Sequence, residues 1–191
     1  MSVNSYANGI NVQLGKTSLR PFISNDRVQT LDKVLKSELK DVSDAAWTNF
    51  ILALKTASLG SISASNSFGM FELRPKRLCD LKMMTKPKSM RSPNGRLIWA
   101  GNFIVPLTQK IFLCTPGIQY KALVLSLKHY IDGIENGQIF IPKYASGKGM
   151  TLSGALSILH RSGPNGLKNW IDEKKRFPET VALYEKCNGI F

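Results

Sequence analysis

The sequence is short of the residues that metal and redox chemistry draws on. It has three widely spaced cysteines, Cys79, Cys114 and Cys187, and two histidines, His129 and His160. Metal sites need clustered ligands and there is no C-x-x-C pair, so no zinc site, no other metal and no cofactor is expected. The cysteines read instead as reduced packing residues. No run of about 18 apolar residues occurs, so no membrane span is expected. The opening stretch, MSVNSYANGINVQLGKTSLRPF, has neither a basic n-region nor an apolar h-region, and no secretory leader is expected from it. No period of roughly 20 to 50 residues recurs, which argues against a solenoid.

Acidic residues are scarce as well. Lys and Arg number 26 against 13 Asp and Glu, a net charge of +13. From Arg74 to Arg96, the cations Arg74, Lys76, Arg77, Lys82, Lys86, Lys88, Arg91 and Arg96 meet Asp80 as their sole acid. Such a field draws a chain toward a polyanion, whether nucleic acid, an anionic cell wall or an acidic protein surface, or it serves as a solvated face that aids solubility. Nucleic acid is the less favoured partner at this level. The chain carries no recognised nucleic-acid motif, and the basic run has no interleaved aromatics before Trp99 and Phe103.

Of the 191 residues, 43% are hydrophobic, enough for one compact domain with a core. Residues 1–24, with Gly9, Gly15 and Pro21 and no sustained period, read as an extended arm that packs on a neighbour or stays a loose tail. Asn25 or Asp26 caps a helix expected through about Lys40, with Val28, Leu31, Leu35 and Leu39 on one face. Ser43 before Asp44 starts a second helix, in which Trp47, Phe50, Ile51 and Leu54 share a face. Gly60 is expected to end that helix or the turn after it. A short third helix begins near Pro75 and carries Leu78 and Leu81 inward.

From Thr85 to about Pro116 the pattern changes. KPKSMRSPNGRLIWAGNFIVP holds a Pro-Asn-Gly turn followed by RLIWAGNFIV, expected as a small hairpin, an irregular lobe, or loop packed down by Trp99 and Phe103. A long helix follows over about 117–135, with Tyr120, Val124, Leu127, Ile131 and Ile134 as its buried stripe. Thr151 caps another, TLSGALSILHR, and Gly163-Pro164 breaks it. NGLKNWIDE makes a short helix, and Pro178 opens the last, PETVALYEKC, closed by Gly189.

Two distant blocks carry a resemblance. LKTAS ends a helix, and NSFGMFELRPKRL then supplies Gly69-Met70-Phe71-Glu72 with Pro75 following. Later, SILHRSGPNGLKNW ends in Trp170, and FPETVALYEKCNGIF supplies Glu179-Thr180. In order, spacing and helix context, from about residue 45 to 191, these blocks resemble the lytic transglycosylase and goose-type lysozyme superfamily. There, a helix ends in Glu-Ser, a loop leads to Gly-Leu-Met-Gln and a Pro-containing helix, and a later Tyr-Asn pair precedes a Trp-bearing segment and Glu-Thr. The resemblance implies a mainly α, lysozyme-like single domain over 25–191 with a small irregular or β lobe, preceded by the arm.

The activity it implies is cleavage of the glycan strand of peptidoglycan. That chemistry needs a carboxylic acid held in a poorly solvated groove to protonate the glycosidic oxygen. A transglycosylase uses the substrate's own hydroxyl, so one carboxylate suffices, whereas a hydrolase normally wants a pair. Here the family's acid position falls on Ala57, its Gln on Glu72, and its Tyr-Asn pair on His160-Arg161. No Asp or Glu lies between Asp44 and Glu72. The remaining family positions map to Ser58, Gly69, Met70 and Phe71 as substrate-binding candidates beside His160 and Arg161.

Three readings stay open. Ala57 marks a lost site and the domain serves as a structural or glycan-binding piece; Glu72 has taken over as acid; or Glu38 or another distant carboxylate reaches the groove. Glu72 also reads as one half of a salt bridge to Arg74, Lys76 or Arg161. Arg161 reads as a complement to a helix dipole, and His160 as a half-buried helix residue. Ser63, Ser65 and Ser67 have no base placed by sequence. Replaced catalytic residues, a basic surface and a polar arm favour a virion-associated protein of a phage tail or baseplate, made in the host cytoplasm. Its expected partners are other virion proteins, met through the arm and the basic face, and peptidoglycan glycan strands. The alternatives are an active lytic transglycosylase or muramidase using Glu72, and a basic nucleic-acid-binding virion protein.

Overall fold

A computed structural model describes residues 39, 42–63, 66–86, 88–91, 95, 97–141, 150–174 and 176–191. The arm over 1–24, the helix expected through Lys40 and the carboxylate of Glu38 lie outside the described residues. The chain is mainly helical, as expected, and its described strands form one two-stranded sheet. Two compact units divide it. One holds Thr56–Leu125, and the other holds Ser126–Phe191 together with helix α1 (Asp44–Leu54).

In the first unit, Pro75 opens α2 (Pro75–Asp80), where a missing N–H costs nothing. Leu78 is fully buried but Leu81 only half-buried, because the helix ends at Asp80 and Leu81 already belongs to its C-cap. Of the forms left open for this stretch, paired strands are what the structure shows. Strand β1 (Lys88–Arg91) pairs antiparallel with β2 (Leu97–Ala100), Lys88 opposite Ala100 and Arg91 opposite Leu97. Asn102 to Val105 adds no strand. Phe103 forms a lone bridge with Met84 and its ring packs between Phe68 at 5.4 Å and Phe112 at 5.2 Å. A helix not foreseen, α3 (Gln109–Cys114), starts where Thr108 Oγ1 accepts the Ile111 N–H at 3.2 Å.

Helix α4 (Pro116–Glu135) begins one residue before the expected start. The stripe expected of it is buried at Tyr120, Val124, Leu127 and Ile131. Gln119, Ala122 and Leu123 are as buried as Tyr120, Val124 and Leu127, whereas Ile134 is half-buried. Leu125, Lys128, His129, Asp132 and Glu135, at helical spacing, form its more exposed side.

The second unit is built on α1, α5 (Leu152–Ile171) and α6 (Pro178–Cys187). Ser43 Oγ accepts the Ala46 N–H to open α1, which buries Trp47, Phe50, Ile51 and Leu54 as the spacing predicts. Its end comes at Lys55, where the backbone turns extended, and Gly60 lies in the following turn. Thr151 caps α5, and Gly163 interrupts it with φ 71° and ψ −175° just before Pro164. Helix α6 packs on both α5 and α1. The α5–α6 approach depends on Gly154, because a Cβ there would lie 2.5 Å from Asn188 Oδ1 and 2.8 Å from Tyr184 Cε2. Phe191 closes the end of the unit: its ring stands edge-on to Phe50 at 5.0 Å, and its backbone N–H and carbonyl both bond Ser153 Oγ.

Candidate functional site

The residues that carry the resemblance in the first block form one hydrogen-bonded structure. Thr56 and Ala57, just past the end of α1, both donate their backbone N–H to the Met70 carbonyl, at 3.0 and 3.1 Å. Phe68 and Leu73 exchange backbone bonds of 2.9 and 3.0 Å, and the Glu72 N–H closes the enclosed turn on the Gly69 carbonyl at 3.0 Å. That turn requires a left-handed residue at each end. Gly69 has φ 73°, and Glu72 has φ 47°, which an L-residue adopts at a cost of about 1–2 kcal/mol.

Gln119 organises this turn from beneath. Its amide is fully buried: Oε1 accepts the Met70 N–H at 2.8 Å, and Nε2 reaches the carbonyls of Leu59 at 3.0 Å, Phe112 at 2.9 Å and Leu113 at 3.2 Å. One side chain thereby ties together the loop after α1, the glycine turn and the end of α3. A Cβ on residue 69 would lie 2.1 Å from Gln119 Oε1, so glycine is needed there for space as well as for its φ. Ser61 adds a second tie, its carbonyl accepting the Gly69 N–H at 2.8 Å.

At the surface of this structure, Thr56 Oγ1 donates to Glu72 Oε2 at 2.9 Å. The half-buried carboxylate of Glu72 is thus held one residue from Ala57, itself half-buried, while Ser58 is exposed. Of the other mapped positions, Gly69, Met70 and Phe71 are buried, the last two being 1% and 2% exposed. The Met70 and Phe71 side chains therefore pack the core of the first unit. Lys76, one of the partners expected for Glu72, lies 3.6 Å from Asp80 in an exposed pair one helical turn apart.

His160 and Arg161 belong to the second unit. Both are half-buried on α5, just before Ser162, whose hydroxyl shares a 2.8 Å hydrogen bond with that of Thr180. Glu179, at the exposed start of α6, precedes that buried threonine. Trp170 is covered by Tyr184 at 4.7 Å between ring centroids and by the Arg176 guanidinium at 4.6 Å. Burial raises the Tyr184 hydroxyl above its ordinary range, and the nearby Arg176 charge partly opposes it.

Sequence reasoning missed Gln119. Its one signal is a polar amide inside the otherwise apolar start of α4, Ile118-Gln119-Tyr120. No group of three or more His, Cys, Asp or Glu among the described residues is placed to hold a metal ion, and none of the described helices is long and apolar enough to cross a membrane. Comparison of the chain with protein-family models, with curated proteins and with solved structures finds no match.

Proposed function

We propose that this chain is a lysozyme-like scaffold put to structural use in a phage tail or baseplate, contacting other virion proteins through its N-terminal arm and basic face. One observation carries the reading. The loop after α1 and the Gly69–Glu72 turn are held together by backbone hydrogen bonds and by Gln119, yet the residue at the mapped acid position, just past the end of α1, is Ala57, whose methyl group can neither donate nor accept a proton. A frame retained around a missing acid fits a domain kept for its shape. Engagement of peptidoglycan glycan strands without cleavage is compatible with this role.

A second reading rests on the Thr56–Glu72 bond, which fixes a carboxylate beside position 57. In it, Glu72 protonates the glycosidic oxygen and the substrate's own hydroxyl completes the cleavage. Release of anhydro-muropeptides from purified sacculi separates the two. For a structural domain, neither the wild type nor Glu72→Gln releases product. Wild-type activity that disappears in Glu72→Gln would overturn the structural reading in favour of the enzyme.

A further inference from the structure

Strand β1 consists of Lys88, Ser89, Met90 and Arg91, and all four are exposed. Successive residues of a strand point to opposite faces, so β1 is uncovered on both. Lys88 and Arg91 therefore stand on opposite faces of the ribbon. One of the five guanidinium donors of Arg91 is used on the Gly95 carbonyl at 3.1 Å, which steadies the side chain and leaves the rest of the fork for a partner. A two-stranded ribbon is marginal in water by itself. This one has its second strand, β2, against α2 and its first strand bare.

The approach to the ribbon is also cationic. Arg74, Lys76, Lys82 and Lys86 are exposed along the chain leading into β1, and Asp80, the acid among them, is already engaged by Lys76 at 3.6 Å and Arg77 at 3.8 Å. Lys82 holds φ 57° at the end of α2, so a lysine occupies a left-handed position that glycine would fill at less cost.

We infer that this ribbon and its basic approach bind duplex DNA without sequence preference, with β1–β2 lying in a groove and Lys88 and Arg91 reaching the phosphates of its two walls. Geometry selects the duplex over an acidic protein surface. A flat surface meets one face of a ribbon and would leave either Lys88 or Arg91 unpaired. A groove meets both. A sheet with its side chains is about 10 Å thick, and the major groove is about 12 Å wide and admits a two-stranded ribbon. Contacts made by Lys82, Lys86, Lys88 and Arg91 suit the phosphate backbone and carry no base readout. Duplex binding by the ribbon stands independently of the lysozyme-like reading, since it uses neither Ala57 nor Glu72.

The test is fluorescence anisotropy of the full chain with a labelled mixed-sequence DNA duplex, at about 50 and about 200 mM salt. If Lys82, Lys86, Lys88 and Arg91 each neutralise one phosphate, affinity falls about 150-fold between those conditions. In Lys88→Gln/Arg91→Gln the same step costs about 12-fold, since two counterions fewer are released. The control Lys168→Gln/Lys186→Gln, in the second unit, keeps the wild-type dependence. Far-UV circular dichroism of each variant confirms that it is folded, and both replacements sit at exposed positions. A single strand of the same sequence, which has no groove, binds more weakly than the duplex. Absence of duplex binding at about 50 mM salt overturns the inference. So does a salt dependence equal in the ribbon variant and the control, single-strand binding as tight as duplex binding, or poly-glutamate binding of equal affinity, which would return the ribbon to an acidic protein partner.

Discussion

Gln119 is the residue on which the candidate site depends. Replacing it with methionine, which has nearly the same length and no hydrogen-bonding amide, strands the Met70 N–H and the Leu59 carbonyl, whereas the Phe112 carbonyl keeps the Thr115 N–H. Each buried polar group left without a partner costs about 1–3 kcal/mol. Gln119→Met is therefore expected to lose at least about 2 kcal/mol, seen as a lower urea midpoint at unchanged slope. A change within about 0.5 kcal/mol would mean that water or local rearrangement replaces the amide. The same residue shows why the site was only partly legible. The Gly69 turn could be read because Gly69-Met70-Phe71-Glu72 resembles a family motif, and Glu72 because it is the first acid after Asp44. Gln119 sits 49 positions from the N–H it satisfies, and nothing local to Ile118-Gln119-Tyr120 points to that partner. Long-range polar pairing has no periodicity to reveal it.

Helix boundaries followed from local chemistry wherever a cap or a breaker supplied it. Ser43, Thr151, Pro75 and Pro178 each open a helix as expected, and Trp47, Phe50, Ile51 and Leu54 bury the face that their spacing draws. Helix α3 is too short for its period to stand out beside Pro106 and Pro116. The break within α5 is the clearest local case. Gly163 holds φ 71° with ψ −175°, a region open essentially to glycine alone, and a Cβ there would meet nothing within 4 Å. Gly163→Ala is thus a purely conformational change. It is expected to cost about 1–3 kcal/mol in thermal or urea unfolding. A D-alanine introduced at the same position by semisynthesis should recover most of that loss, because its mirrored backbone preference admits positive φ. Equal losses for the two enantiomers would place the cost in packing instead.

For the whole molecule, net charge and buried titration pull stability in opposite directions as pH rises. The charge of +13 sets up self-repulsion, and lysine deprotonation in alkali relieves it. The buried Cys187 thiol works against that relief. Desolvation pushes it up from 9.0 to about 11, opposed by the hydrogen bond from Ser157 and by the charge of Lys186. A group with a folded pKa above its unfolded value binds its proton longer in the native state. Between about 9 and about 11 the unfolded chain releases the thiol proton first, so stability is full below 9 and declines through that window. Two units of separation correspond to something on the order of 2–3 kcal/mol. Tyr184, also raised by burial, declines in the same sense and is common to any Cys187 variant. Cys187→Ala isolates the thiol. It loses packing at every pH but has no proton to release, so its deficit against the wild type should be greatest near pH 8 and shrink toward pH 11. Urea midpoints for both proteins across that range measure it. A constant deficit would show that Cys187 ionises alike in both states, and that alkaline stability is governed by the lysines.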